Sequence, residues 1–499
     1  MNFGRESYTH VVDSPTVRMI LAQPTTKYDN LATALLDIQA AYTQGWSYRK
    51  DEPTRFLKAR HPVSGEWLYF IEKVPIYGGA IAGRNFEDTL YCYLAEIGLT
   101  QGSNCKAIFA TRHIVQNCPN VEGKPELNDE FQGNQCSEQA LEGDTKKGLV
   151  VAAYVDDLML TGHGVSVRRC IRHLYHRFKI KRVDFLKDGM SLDFLGVSIR
   201  QLKLTRYLEM AHYIKQSAEE LKIDEGYGYG APMDRNIGTS PPLDAKEATW
   251  FRTALGKLAW IANCVRPDVR HAFLKLGHFN ATPSQKAKDA MVRTWKYFLH
   301  NRWLSLRIDM RMTATCPKAG WKFYSDSDYA GDPFEELERP STQGCIALHN
   351  NVPILWRSGY GIKATAHVKL RPGHADLSVA SAETYALSDG LSQFLGLSYK
   401  AEECLIECKL PITVWVDNEA AKTFSNDAAY RTKMVHIDSR QCWVKQLRDD
   451  KVVSVQHVPS RDNLADLFTK VLTPKEHKRL REMLLVGLPQ ELRNEEVKL

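Results

Sequence analysis

The amino-acid sequence predicts a multidomain α+β and α/β protein, and three observations carry that expectation. Early on, "LVVAAYVDDLMLTG" (residues 149–162) is an apolar run interrupted by two adjacent carboxylates. In the middle, "EATWFRTALGKLAWIANCV" and "PSQKAKDAMVRTWKYFLHN" set apolar residues three and four apart, the spacing of amphipathic helices. Further on, strand-like runs such as "KFYSDSDYAGD" and "PITVWVDNEAAKTF" alternate with helical ones. With 499 residues, 43% hydrophobic and 25% charged, the chain has material for about two to four domains.

The formal charge of +7 and pI near 8.7 make a modestly basic surface, compatible with a polyanionic partner without requiring one. Eleven cysteines are scattered with no CxxC pair, and Cys404 and Cys408 lack a second pair that would complete a zinc site. They read as reduced thiols of a reducing compartment. No run reaches the ~18 apolar residues of a membrane span and the amino terminus lacks a signal-peptide core, so a soluble protein with no membrane partner is expected. There is no internal repeat.

In chain order, residues 1–230 form a first zone. Residues 119–148 interrupt it with an acidic, Gly/Asn/Gln-rich stretch that has no period and reads as a long surface loop. The segment "DEGYGYGAPMDRNIGTSPPLD" sustains neither helix nor strand and reads as a linker. Residues 231–318 are helical, residues 319–475 mix strands with helices, and residues 476–499 form a helical tail that begins within "TPKEHKRLREMLLVGL".

The carboxylate pair is the chemical anomaly. Adjacent residues of a strand point to opposite faces, so two aspartates inside one strand would send one into the core at a cost of several kcal/mol. Placing Asp156 and Asp157 at a hairpin tip avoids that cost. Two such close carboxylates repel unless a cation lies between them, and magnesium suits carboxylate, water and phosphate oxygens together. A third carboxylate, Asp37, ends the apolar stretch in "LLDIQAAYTQG", five positions before Tyr42.

These residues resemble the reverse transcriptases of copia-type long-terminal-repeat retrotransposons. The likeness rests on Asp37 with Tyr42, on the Tyr-Val-Asp-Asp segment, and on "FLGV" (Phe194, Leu195, Gly196, Val197). "PIYGG", "APM" and "FRTALGKLAWIANCVRPDV" follow the family's L-Y-G-L, T-P-M and Y-R-x-x-V-G-x-L-x-Y-L-x-x-x-x-R-P-D-I in order. The resemblance implies a right-hand polymerase palm and a helical thumb or connection. It implies Asp37, Asp156 and Asp157 as catalytic metal ligands holding two Mg2+ ions, with Mn2+ as the alternative. Two such ions stabilise the attacking and leaving oxygens of an in-line phosphoryl transfer. Tyr42 would lie beneath the incoming sugar, and Phe194, Leu195 and Gly196 would grip the primer end. The run "VSVRRCIRHLYHRFKIKRVDF" reads as an amphipathic helix inside a dense positive surface, a candidate track for a nucleic-acid backbone.

The third zone resembles ribonuclease H of the same family. S-D-x-D-x-A-G, R-x-S-T-x-G, W-x-S, A-E, D-N-x-x-A, H-I-D and L-A-D-x-F-T-K appear in order. On these motifs Asp326, Glu383, Asp417 and Asp466 match the family's four metal-binding carboxylates, which would again hold two Mg2+ ions. Asp328, Asp332 and Asp438 read as extra acids, either on the surface or supporting the ligands from behind, and His436 as a structural hydrogen-bonding residue.

Two departures qualify the resemblance. The chain starts at the family's S-P-V-V-like stretch, which implies truncated fingers. The family's L-Y-G-L-K-Q-x-P-R-x-W is "IYGGAIAGRNF" here, so lysine, glutamine and proline are lost and Arg84 remains. The expected activity is RNA-directed DNA polymerase with ribonuclease H, on RNA template, DNA primer, RNA–DNA hybrid and deoxynucleoside triphosphates. The alternative is a remnant that binds nucleic acid or retains only ribonuclease H. By resemblance the chain is a Pol polyprotein fragment working inside the cell, in a cytoplasmic virus-like particle or in the nucleus. Its oligomeric state is not legible.

Overall fold

The computed structural model describes residues 9–27, 30–48, 54–79, 81–127, 147–234, 237, 240–311, 320–329, 341–360, 379–426 and 438–493. The chain divides into two compact units. One comprises Met1–Asp13, Gln23–Lys187 and Tyr399–Ile406; the other comprises Ser14–Ala22, Asp188–Ser398 and Glu407–Leu499.

The first unit is built on a sheet of β1 (Leu31–Ile38), β4 (Thr100–Gln101), β5 (Ile108–Thr111), β6 (Leu149–Tyr154), β7 (Asp157–His163) and β8 (Ile180–Phe185). Their spatial order is β4-β5-β6-β7-β1-β8. Alternate residues Leu36 and Ile38, Leu149, Val151 and Ala153, and Leu158 and Leu160 share one core with two helices. Helix α2 (Ala82–Glu96) supplies Phe86, Leu90 and Leu94, and α3 (Gly164–Arg177) supplies Val167, Ile171 and Leu174. Each set recurs at helical spacing, so one face of each helix is apolar. A two-stranded ribbon, β2 (Arg55–Arg60) with β3 (Trp67–Glu72), leaves Phe56, Tyr69 and Ile71 exposed. Of the acidic loop, residues 128–146 lie outside the described residues.

The second unit begins with α1 (Ser14–Leu21) and holds two five-stranded sheets. One is ordered β18-β12-β11-β10-β9. Its strands are β9 (Ser191–Phe194), β10 (Val197–Leu202), β11 (Thr205–Glu209), β12 (Leu304–Asp309) and β18 (Val486–Gly487). The other is ordered β15-β14-β13-β16-β17. It comprises β13 (Trp321–Asp328), β14 (Thr342–His349), β15 (Val352–Tyr360), β16 (Ile412–Val416) and β17 (Val453–His457). Strands β13, β14 and β15 pair antiparallel, whereas β13–β16 and β16–β17 pair parallel, so this sheet is mixed. Among the helices are α4 (Ala211–Glu220), α5 (Ala245–Cys264), α6 (Arg270–His278) and α7 (Gln285–His300). Later come α8 (Val379–Glu403), α9 (Glu419–Asn426), α10 (Asp438–Asp449), α11 (Asp466–Thr469) and α12 (Pro474–Leu484).

The Gly/Pro-rich linker forms neither helix nor strand in its described residues, yet it does not separate the units. Strand β11 before it pairs with β12 after it, from Thr205↔Asp309 to Leu208↔Leu306. The R-P-D segment is structural: Arg266 and Asp268 are fully buried and pair at 2.7 Å. The Tyr297 hydroxyl donates to Asp268 at 2.6 Å, and the His477 ring on α12 lies 2.9 Å from the Asp268 carbonyl. Burial would raise the Asp268 carboxyl, but Arg266 outweighs it and holds the group at about 2.

Candidate active sites

The first site forms where β1 meets the β6–β7 hairpin. Tyr154 pairs with Asp157, leaving Val155 and Asp156 as a two-residue turn. The hairpin therefore forms where the apolar pattern placed it, with Asp156 in the turn and Asp157 opening the outgoing strand. Val155 has φ 59°, a left-handed conformation that a β-branched residue adopts at a cost of about 1–3 kcal/mol. The Tyr154–Asp157 pairing and the Ile38 N–H, which donates to the Asp156 carbonyl at 3.0 Å, hold the turn there. Across the ladder Asp37 lies directly opposite Asp157. The three aspartates are half-buried.

A lysine of the positive run that sequence reading took as a nucleic-acid track, Lys181, stands at this site instead. On the β1–β8 ladder Asp37 faces Arg182 whereas Ile38 faces Ile180, so Lys181 is the extra residue of a β-bulge. Bulges re-aim side chains. Here the Lys181 ammonium donates to the Asp37 carboxylate at 2.7 Å, although its side chain is 66% exposed. Burial chiefly, then Asp156 and Asp37, pushes the Asp157 carboxyl up to about 6 against the opposing pull of Lys181.

Tyr42 lies in the short 3-10 turn Ala41–Gln44 after β1, its ring 4.4 Å from Tyr77 and 6.5 Å from Phe86. Burial and then Asp156 raise its hydroxyl pKa. Arg84 is engaged by its own helix, 3.0 Å from Asp88 and 3.6 Å from Glu87, with His10 at 3.2 Å. The positive surface expected around α3 is thinner than the composition implied. Arg168 and Arg172 are buried, and Arg172 donates to Asn120 at 2.7 Å and Asn117 at 3.2 Å. The Arg172 guanidinium turns inward because Asn117 and Asn120, at the start of the acidic stretch, accept from it. Arg177, Lys179, Lys181 and Arg182 do remain exposed.

In the second unit, Phe194 pairs with Val197, so Leu195 and Gly196 form a two-residue turn with φ 54° and 72°. Positive φ at both central residues is the type I′ geometry, which suits glycine and strains leucine. Phe194 is buried, so the exposed part of this segment is the Gly196 backbone.

The second carboxylate site is built on the mixed sheet. Asp326 sits inside β13 rather than at its end, because the strand continues to Asp328. Parallel pairing of Tyr324 with Trp415 brings Asp326 level with Asp417, which directly follows β16. Glu383 comes from the first turns of α8. Oxygens of Asp326, Glu383 and Asp417 lie within 4.8 Å of one another, the one such acidic triple among the described residues. The first site's aspartates do not converge to that degree. Asp466 is outside the triple and reaches it through Lys470, whose ammonium lies 2.8 Å from Asp466 and 3.2 Å from Asp326. The Thr469 hydroxyl donates to the other Asp326 oxygen. Gly344, opposite Asp326, permits this: a Cβ there would meet the Phe468 and Thr469 side chains at 2.7 Å.

Burial dominates the electrostatics here. Asp326 and Glu383 are 1% and 4% exposed, and desolvation raises both carboxyls, Glu383 well above its ordinary range. Burial chiefly, then Asp326, pushes the Asp466 carboxyl up to about 7. Burial pulls the Lys470 ammonium the other way, but Asp326 and Asp466 outweigh it and keep it charged. The Glu383 Oε2 atom is buried with no hydrogen-bond partner. An orphaned carboxylate oxygen beside two other acids fits a hard divalent cation. Asp332, His436 and the Asp438 side chain lie outside the described residues, and Asp328 closes β13.

The curated relatives agree with the resemblance carried by the motifs. No family model matches the chain. It is 24% identical over 356 residues to the retrovirus-related Pol polyprotein from transposon TNT 1-94 of Nicotiana tabacum, covering 68% of this chain and 24% of that one. It is 22% identical over 482 residues to the Pol polyprotein from transposon RE2 of Arabidopsis thaliana, covering 94% and 28%. The chain thus spans about a quarter of the length of the curated relatives it matches. Among solved structures, a foamy viral protease-reverse transcriptase in complex with double-stranded DNA aligns with a TM-score of 0.46 and 10% identity, over 91% of this chain and 59% of that one. No helix among the described residues is long and apolar enough to cross a membrane.

Proposed function

We propose that this relative of transposon Pol polyproteins is an RNA-directed DNA polymerase that also carries ribonuclease H activity. One observation supports the reading above others: two separate carboxylate clusters stand on sheet scaffolds within one chain, in the order the motifs imply. In this proposal residues 1–230 are the palm with partial fingers, 231–318 the thumb or connection, 319–475 the ribonuclease H module and 476–499 a tail.

At the palm, Asp37, Asp156 and Asp157 would hold divalent metal, and at the nuclease Asp326, Glu383 and Asp417 would do so. When bound, such ions stabilise charge on the attacking and leaving oxygens of a phosphoryl transfer. The protein's own contribution is positional. The strained Val155 turn fixes Asp156, the opposed strands fix Asp37 against Asp157, and the Tyr42 ring against Tyr77 shapes the floor for the sugar of a deoxynucleoside triphosphate. Arg177, Lys179 and Arg182 offer exposed cations to a nucleic-acid backbone, a contact that weakens with salt. The substrates would be an RNA template, a DNA primer and the hybrid they form, copied in an intracellular particle.

A second reading, nuclease only, is favoured by the tighter convergence of Asp326, Glu383 and Asp417. Primer extension on an RNA template with magnesium decides between them. Extension by the wild type and its loss in Asp156→Asn support the polymerase. Hybrid cleavage that is lost in Asp417→Asn, without any extension, leaves the nuclease alone. Salt-sensitive binding with neither activity overturns both.

A further inference from the structure

We propose that the ribonuclease H-like site takes a single divalent ion, on Asp326, Glu383 and Asp417, and that the Lys470 ammonium supplies its second positive charge. This rests on the nuclease reading and deepens it. Asp466 is then the partner of a lysine rather than a metal ligand.

The assignment follows from which oxygens are already spoken for. The Asp326 Oδ1 atom lies 3.2 Å from the Lys470 ammonium and its other oxygen accepts from Thr469. Asp466 Oδ1 accepts from the same ammonium at 2.8 Å. Lys470 therefore bridges the two carboxylates and already offers them a positive charge. No protein cation is paired directly with Glu383 or Asp417 among the ion pairs described, although Lys470 acts on both at longer range, and the Glu383 Oε2 atom is buried without a hydrogen-bond partner. One side of the cluster is filled by the chain itself; the other is left for an external cation.

The lysine is held there by more than attraction. Lys470 follows the last residue of α11, and α11 docks on β14 at Gly344, where no side chain stands between. Asn463 ties the segment before α11 to β13 by donating to the Ser325 carbonyl at 3.1 Å. The ammonium is 34% exposed by side chain, so it stays reachable from solvent while its partner Asp326 is 1% exposed. In charge terms, one positive charge shared by Asp326 and Asp466 is already built into the cluster. A second dication would have to displace a hydrogen-bonded ammonium before it could bind.

The test is the stoichiometry of Mn2+ binding by the full chain, read by electron paramagnetic resonance in an Asp37→Asn/Asp156→Asn background that removes the palm as a competing site. The expected result is one ion in that background, one in Lys470→Arg and two in Lys470→Ala. Asp417→Asn should weaken the single ion tenfold or more, whereas Asp466→Asn should leave its affinity within about threefold. Asp466→Asn also covers the case in which Lys470→Ala fails to fold, because it removes the lysine's partner without removing the lysine. Two ions with Lys470 intact, or a single-ion affinity lost on Asp466→Asn, overturn the proposal while leaving the nuclease reading standing. No bound ion, with Asp417→Asn without effect, overturns both.

Discussion

The two carboxylate sites solve one electrostatic problem at different depths of burial. Around Asp37, Asp156 and Asp157 the acids are half-buried, and the neighbouring cation, Lys181, stands 66% exposed on a bulge. Around Asp326, Glu383 and Asp417 the first two acids are almost completely buried, and Lys470 is set between Asp326 and Asp466. Water already screens the first cluster, so it needs little from its lysine. The second has little water and depends on charges built into the chain. The lesson is that the same residue types, a few acids and a lysine, differ in role according to what surrounds them.

The largest effects should come from breaking each site separately. Glu383→Gln should lower hybrid cleavage by about 10²–10³-fold, the loss typical of removing one stabiliser of transition-state charge. The same change should raise the melting temperature of the metal-free chain by up to roughly 2–4 °C, most at high pH, because it removes a buried ionisable group that has no partner at Oε2. Calorimetry beside a cleavage assay checks both. A fall in activity together with a fall in stability would mean that Glu383 serves the fold.

A smaller effect is expected at the half-exposed site. Tyr42→Ala should cost roughly 10–200-fold of the discrimination against ribonucleotides, the range that shape selection in an apolar pocket provides. Single-nucleotide incorporation with matched deoxy- and ribonucleotides measures it. Unchanged discrimination would reduce Tyr42 to a core residue stacked on Tyr77.

The pH response separates the sites again. Asp157 and Asp466 have carboxyls raised to about 6 and about 7, above their unfolded value near 3.8. A raised acid binds its proton more tightly when folded, so its contribution to stability is fully present below about pH 4. That contribution is lost as pH rises through about 6 for Asp157 and about 7 for Asp466. Metal-free wild type should lose stability across this window, and Asp466→Asn should flatten the upper part of the curve. Metal affinity runs in the opposite sense, weakening by up to about tenfold per unit below each pKa, since the ion must displace the proton. Thermal melts from pH 4 to 8 with and without magnesium report both.

The smallest contrast concerns the lysines. Lys470→Ala should destabilise the metal-free chain by about 1–3 kcal/mol, the cost of leaving a buried acceptor unsatisfied. Lys181→Ala should cost less than that, as for an exposed ion pair. Urea unfolding of the two variants tests the ordering, and equal losses would erase the distinction in burial.

Much of this was legible in the sequence, for identifiable reasons. The β6–β7 hairpin announced itself because seven apolar or aromatic residues precede two acids that no strand interior tolerates. The motifs pointed to Asp326, Glu383 and Asp417, which the fold brings together, and to Asp466, which lies outside that triple, while spacing marked the two mid-chain helices. What was not legible depends on register or on distant neighbours. Lys181 reaches Asp37 only because a bulge slips the β1–β8 ladder by one residue. Lys470 reaches Asp326 only because Gly344, more than a hundred residues earlier, leaves room for α11. Arg168 and Arg172 read as surface cations, and only folding brings Asn117 and Asn120 to accept from Arg172. A charge pattern gives the number of cations on a segment but not the acceptors waiting for them.

The most direct measurement follows both activities on one substrate, a DNA primer annealed to RNA, with Asp156→Asn and Asp417→Asn compared with the wild type. Two independent phosphoryl-transfer sites require that Asp156→Asn lose extension and keep hybrid cleavage, and that Asp417→Asn do the reverse. Loss of both activities in either single variant, or persistence of both in each, would contradict that arrangement.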